Sequence, residues 1–169
     1  MTIFKTTTAA VALLMTTVAA QAANIVDIAA SDDRFSTLVS AVQAAGLVET
    51  LSGPGPFTVY APLDTAFAAL PQGTLETILQ PENRAQLIDV LLYHVDDRKL
   101  TSHDFAAGAN YYKPLLASDR LCITSHGGVT IADGTGQTAS VVVADIKADN
   151  GVIHVIDKVL LRGKRPACH

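Results

Sequence analysis

FTVYAPLDTAF at residues 57–67, LLYHV at 91–95 and NGVIHVIDKVLL at 150–161 are the most identifying strings in the chain. Each sets a polar group inside an apolar run: Asp64 in the first, His94 in the second, His154 with Asp157 in the third. A buried polar group left without a partner costs about 1–3 kcal/mol. These side chains are therefore either a site or a set of internal ties, and deciding which is most of the functional question.

Before the first string, Phe35, Leu38, Val39 and Val42 follow i, i+3, i+4, i+7 spacing, with Ser31, Asp32 or Asp33 available as N-cap and Gly46 as the stop. Gly53-Pro54-Gly55-Pro56 breaks the chain, and FTVY leaves it as a strand. Pro62 and Asp64 start a helix with Phe67 and Leu70 inward, and Thr74 to Leu79 is a short helical turn. Leu87, Ile88, Leu91, Leu92 and Val95 mark a longer helix ending around Tyr93-His94. From residue 97 the pattern changes to extended runs: RKLT, YKPLL, RLCITS, VTIAD, ASVVVADI and VIHVIDKVLL. Turns fall at His126-Gly127-Gly128, Asp133-Gly134 and Asn150-Gly151, the last a strong hairpin signal between two Val-rich runs. The reading is one α+β domain, with strands packed beneath or beside a helical layer.

The first 22 residues read as a secretory signal peptide: Lys5, a Thr-rich apolar stretch, then Ala20-Gln21-Ala22 as an A-x-A cleavage pattern. Cleavage is expected between Ala22 and Ala23, leaving residues 23–169 as a single domain with a short C-terminal tail. The stretch is short of the ~20 apolar residues that a membrane span needs. Losing Lys5 takes the formal net charge from −4 to −5. Such a chain is a poor candidate for nucleic acid or anionic lipid, and no membrane insertion is expected after cleavage. The basic cluster Arg162, Lys164 and Arg165 is expected to be solvated. Cys122 and Cys168 form a candidate disulfide in an oxidising compartment, worth about 4 kcal/mol on a chain-entropy estimate. The alternative is a buried Cys122 with a free thiol in the tail.

With these strings in place, the chain resembles the fasciclin domain family, as a single-domain secreted protein of the bacterial type. FTVYAPLDTAF is similar to that family's first conserved stretch, LLYHV to its Tyr-His motif and NGVIHVIDKVLL to its second stretch. The resemblance implies a wedge of about seven β-strands with a helical layer packed around it. It also implies adhesion at a cell surface, matrix or envelope through protein or glycan contacts, self-association being one route. Thr58, Asp64 and His94 match positions used for internal hydrogen bonding, and Ile153, Val155, Ile156, Val159 and Leu160 match apolar staves. Leu63, Asp96-Asp97-Arg98 and Arg162-Gly163 depart from the family's pattern. The chain contains neither Arg-Gly-Asp nor an N-x-[ST] sequon.

An enzyme reading finds no G-x-S-x-G, no H-E-x-x-H and no glycine-rich phosphate loop, so no catalytic residue is assigned. Tyr93, His94, His154 and Asp157 are read with Thr58 and Asp64 as structural, Asp64 capping its helix and accepting from His94. Strand alternation sets His154, Ile156 and Lys158 on one face and Ile153, Val155, Asp157 and Val159 on the other. His103 and His126 are expected to be solvated; no metal site and no cofactor are assigned. The candidate binding surface is Asp96, Asp97 and Arg98 with Tyr111 and Tyr112. The alternative function is an extracytoplasmic carrier of a carotenoid or lipid-like molecule, against which nine aromatics in the whole chain argue mildly. An unrecognised hydrolase stands behind both.

Overall fold

A computed structural model describes residues 23–169; the expected signal peptide lies outside the described residues. The helical front comprises α1 (Ile25–Ala30), α2 (Ser36–Ala45) and α3 (Val48–Ser52), then α4 (Asp64–Ala68), α5 (Thr74–Leu79) and α6 (Arg84–Tyr93). The strands are β1 (Phe57–Pro62), β2 (Val95–Asp96), β3 (Gly108–Tyr112), β4 (Leu121–Ser125), β5 (Val129–Ala132), β6 (Thr138–Ala148) and β7 (Gly151–Ile156). They form one seven-stranded sheet in the order β2-β1-β7-β6-β5-β4-β3. The β1–β7 pair is parallel and every other pair antiparallel. The 11-residue β6 carries two register shifts between Val141 and Ile146, which strengthen the local twist where the sheet passes from β7 to β5.

The central strand β7 is buried on both faces. Ile153 and Val155 enter a core shared with Phe35, Leu38, Val42 and Leu91 of the helical layer. On the other side Ile156 packs into a second core with Tyr60, Tyr93, Leu121, Ile131 and Leu160. A strand covered on both faces reads as a continuous apolar run, which is why VIHVI shows so little alternation. The strand stops at Ile156, so the expected facing of Asp157 and Lys158 does not extend it.

Asn150 and Gly151 form more than a hairpin turn. The Asn150 amide donates to the Leu51 and Gly53 carbonyls at 2.7 and 2.9 Å, and its oxygen accepts from the Ile25 amide at 2.9 Å. One side chain thus joins the start of α1, the end of α3 and the β6–β7 turn. Gly151 faces Phe57 so closely that an added Cβ would stand 2.0 Å from the Phe57 carbonyl oxygen. The parallel pairing of β1 and β7 at this point needs a residue without a side chain.

RKLT, expected as a strand, is loop. Its backbone is satisfied by a side chain instead of a ladder. The Thr58 hydroxyl donates to the Arg98 carbonyl at 2.6 Å and accepts from the Leu100 amide at 2.8 Å. YKPLL likewise leaves the sheet after Tyr112, its Leu115 amide donating to the Val95 carbonyl at 2.6 Å.

Gly151→Ala is expected to destabilise by about 3 kcal/mol through overpacking against β1. Asn150→Ala is expected to cost about 2–3 kcal/mol through the orphaned groups it leaves. Chemical denaturation with an unchanged slope on denaturant concentration checks both.

Candidate functional site

The expected tie between Asp64 and His94 is not made. Asp64 is the first residue of α4, whose N-cap position is Leu63. Its carboxylate crosses instead to α2, accepting from the Ser36 hydroxyl at 2.5 Å and the Thr37 amide at 2.8 Å. Helix α2 has Phe35 at its N-cap and no side-chain cap of its own, so a residue 28 positions away supplies the negative charge its N-terminus favours. Burial pushes the Asp64 pKa up, yet the hydrogen bonds from Ser36 and Thr37 outweigh it and hold the carboxyl below its ordinary value.

His94, 2% exposed, links α6 to the chain leaving β7. Its Nε2 accepts from the Leu160 amide at 2.9 Å, which requires the proton on Nδ1, and Nδ1–H donates to the Val90 carbonyl at 2.7 Å. Both ring nitrogens are used by backbone, and the ring is neutral. Burial pushes its pKa from 6.5 down to about 4. His154 does the same work deeper in: its Nε2 meets the Leu100 carbonyl at 2.7 Å and its Nδ1 accepts from the Asp145 amide at 3.4 Å. Burial lowers the His154 pKa as well. Tyr93 donates to the Arg120 carbonyl at 2.9 Å. Asp157 accepts from the Ser140 amide at 2.7 Å across the end of the β6–β7 pair.

Two further ties were not singled out in the sequence. Asp133, fully buried, accepts from the Thr135, Gln137 and Leu161 amides and from the Thr135 hydroxyl. It stood in a turn signal, and nothing local tells that its second oxygen reaches residue 161. Asp145 sits in the left-handed region with φ 61°, at the β6 bulge, and accepts from the Ser102 amide and hydroxyl. An aspartate inside the apolar VVVADI run was the available signal. His103 lies 3.4 Å from the Ser102 oxygen, but that hydroxyl donates to Asp145, so the three residues are not ordered as nucleophile, base and orienter. Among the described residues no three His, Cys, Asp or Glu side chains gather to hold a metal ion.

The expected binding surface divides. Asp96 is not on it: 1% exposed, the carboxylate is taken by the Arg98 amide, Nε at 2.7 Å and Nη2 at 2.5 Å. Tyr112 is also inside, edge-on to Phe105, with its hydroxyl accepting from the Ala106 amide at 3.0 Å. Both are drawn in because the loop before β3 needs an anchor that its backbone cannot supply. Asp97, Arg98 and Tyr111 reach solvent.

Cys122 and Cys168 are joined by a disulfide, their Cα atoms 5.5 Å apart. The basic tail is solvent-exposed, as expected, and it is also tied down. Arg162 pairs with Asp89 and Asp119, Arg165 lies 4.0 Å over the Tyr111 ring, and the Tyr111 hydroxyl donates to the Pro166 carbonyl at 2.9 Å. The apolar cavities under the helices are small. One of about 30 Å³ lies among Ile25, Val42, Leu91 and Ile153, and one of about 20 Å³ among Leu38, Phe67, Leu87 and Val159. Each is about the volume of one water molecule.

A mixed seven-stranded sheet under a helical layer, with its buried histidines, Thr58 and Asp133 spent on backbone ties, defines an α+β scaffold of the fasciclin type. A solved structure of a domain pair from the insect cell adhesion molecule Fasciclin I matches with a TM-score of 0.57 at 20% identity, covering 71% of this chain and 42% of that one. The Fasciclin domain family model matches residues 33–162, and the chain belongs to that family. An uncharacterized protein of Synechocystis sp. is 48% identical over 140 residues, covering 83% of this chain and 98% of that protein. Transforming growth factor-beta-induced protein ig-h3 of Sus scrofa is 40% identical over 136 residues, which span 80% of this chain and 19% of that longer protein.

The two histidines predict a distinct acid sensitivity. A neutral imidazole whose folded pKa is depressed contributes its full stability above the unfolded value of 6.5 and loses it as pH falls toward the folded value. His94 alone should account for about 3 kcal/mol lost between pH 6.5 and 4, with His154 adding in the same direction. Asp64 and Asp145, whose pKa values are lowered, weaken the fold only below the ordinary carboxylate range. Denaturation midpoints followed over that window should show a shallower loss in His94→Gln than in wild type, with His154 supplying what remains.

Proposed function

We propose that this protein is a secreted or periplasmic, non-enzymatic fasciclin module that mediates adhesion at a cell surface, matrix or envelope through protein or glycan contacts. The observation that carries the reading is the fate of the motif residues. Thr58, Asp64, Tyr93, His94, His154 and Asp157 each have their polar atoms committed to other parts of the same chain. No cleft collects them, which leaves the outer surface as the place where function resides. Family membership and the insect adhesion molecule's fold support the same reading. The Cys122–Cys168 disulfide favours an oxidising compartment. An apolar carrier would need an enclosed cavity of about 300 Å³ or more; the apolar spaces under the helices are a tenth of that or less. A depression of about 380 Å³ beside Phe67, Leu70 and Leu75 is open to solvent and bordered by Gln72 and Glu76.

A single domain offers one contact per chain, so useful adhesion needs display at high density or self-association. Beads coated densely with the mature protein are expected to stay on envelope or matrix from the native host under flow that removes albumin-coated beads. Equal retention of the two kinds of bead would sink the adhesion reading. The His94→Gln protein, assayed where it remains folded, should adhere like wild type, because His94 serves the fold and not the contact.

A further inference from the structure

A polar groove of about 220 Å³ lies where the C-terminal tail passes the β3–β4 connection. The connection contributes Ser118, Asp119 and Arg120, the tail contributes Gly163, Lys164 and Arg165, and the buried Tyr93 touches it from within. Three cations thus face one carboxylate, in a chain whose formal net charge is −4. The carboxylate is already engaged: Asp119 accepts from Arg162 Nε at 2.8 Å and from the Ser118 hydroxyl at 3.0 Å. Among the described ion pairs, none involves Arg120, Lys164 or Arg165.

The groove is held open by the fold. Arg120 Nη1 is fixed by the Ala117 and Asp119 carbonyls at 3.0 and 2.6 Å, and its other guanidinium nitrogens carry no hydrogen bond among the described residues. The tail is pinned at four successive points: Leu161 on the Gly134 amide at 3.1 Å, Gly163 against Gly134, Arg165 and Pro166 on Tyr111, and Cys168 on Cys122. An added Cβ on Gly163 would stand 2.2 Å from the Gly134 carbonyl oxygen, so this approach admits only glycine. Basic side chains at fixed spacing lose less freedom on binding than those of a loose tail.

We propose that this groove binds an anionic polysaccharide, receiving a sugar carboxylate or sulfate between Arg120, Lys164 and Arg165. The assignment rests on the adhesion reading and names its contact surface. The volume equals the share of about seven water molecules, room for one sugar ring and its charged substituent. Planar guanidinium groups match the paired oxygens of such substituents. The Ser118 hydroxyl and the carbonyls at the rim suit sugar hydroxyls. Nucleic acid would want an open aromatic face for a base; Arg165 covers Tyr111 and Tyr93 is buried. A lipid surface would want an apolar rim, and the side chains around the groove are polar or charged.

The test is binding of the mature protein to immobilised polygalacturonate, which carries only carboxylates, and to dextran sulfate, which carries only sulfates. Neutral dextran and poly-glutamate serve as comparisons, at about 50 mM salt, because exposed charges are screened at higher ionic strength. Retention is expected on one or both charged polysaccharides, the pattern telling carboxylate from sulfate, with none on neutral dextran and weaker binding to poly-glutamate. Lys164→Glu combined with Arg165→Glu should weaken binding about tenfold while leaving the melting temperature within about 3 °C. Gly163→Ala should weaken it with the charge unchanged. Lys147→Glu, an exposed lysine on β6, should not weaken it. Retention on neither polysaccharide, an equal loss with Lys147→Glu, or poly-glutamate bound as tightly as the sugars would overturn the assignment. In the bead assay, double-variant protein that adheres like wild type removes the groove but leaves adhesion standing. Wild-type beads that fail to adhere while soluble polysaccharide still binds remove adhesion and leave the groove.

Discussion

The parallel pairing of β7 against β1 is the constraint on which the rest of the structure depends. Six register pairs run from Phe57 with Gly151 to Pro62 with Ile156, and they place β7 between two cores. A parallel pair needs a long crossover, and here residues 63–150 form it, carrying three of the six α-helices and the five strands β2 to β6. Gly151 lets the two backbones approach and Asn150 fastens the incoming helices to the same spot. Loss of this junction would separate the helical layer from the sheet as a unit.

Around that strand the domain uses polar side chains where a ladder cannot reach. His94, His154, Thr58, Asp133 and Asp145 each satisfy backbone groups of segments that belong to no helix or strand, or that leave one. A buried backbone amide must find a partner, and a side chain from a rigid strand provides one without fixing the loop's sequence. The result is a scaffold whose irregular stretches are as firmly placed as its sheet. It also makes the fold dependent on the His94 and His154 imidazoles remaining neutral.

That firmness extends to the tail. A run of Arg and Lys at a chain end is ordinarily solvated, but the disulfide, the Tyr111 contacts and the Gly134–Gly163 approach make it one wall of a groove. Arg120, Lys164 and Arg165 are thereby gathered at one groove of a molecule whose formal net charge is −4.

Much of the architecture was legible in the sequence. The helix spacings around Leu38 and Leu91, the glycine-proline break before Phe57 and the Asn150-Gly151 hairpin are short-range signals, because helix periodicity and turn chemistry are local. The pairing of Cys122 with Cys168 was legible too, since only two cysteines were present. Which polar groups meet was not. Asp64 reaches a helix 28 residues earlier, His94 a backbone amide 66 residues later, and Asp96 and Tyr112 turn inward from a stretch that reads as surface. Partner choice at such distances is settled by which strands lie side by side, and the sequence carries that order only through the burial of β7 on both faces. Local periodicity, turn chemistry and three motifs thus carried most of the elements and the family, but not the loop at RKLT or the roles of Asp96, Asp133 and Asp145 as internal ties. Those depend on contacts between segments far apart in the chain, which only the packed sheet and helices bring together.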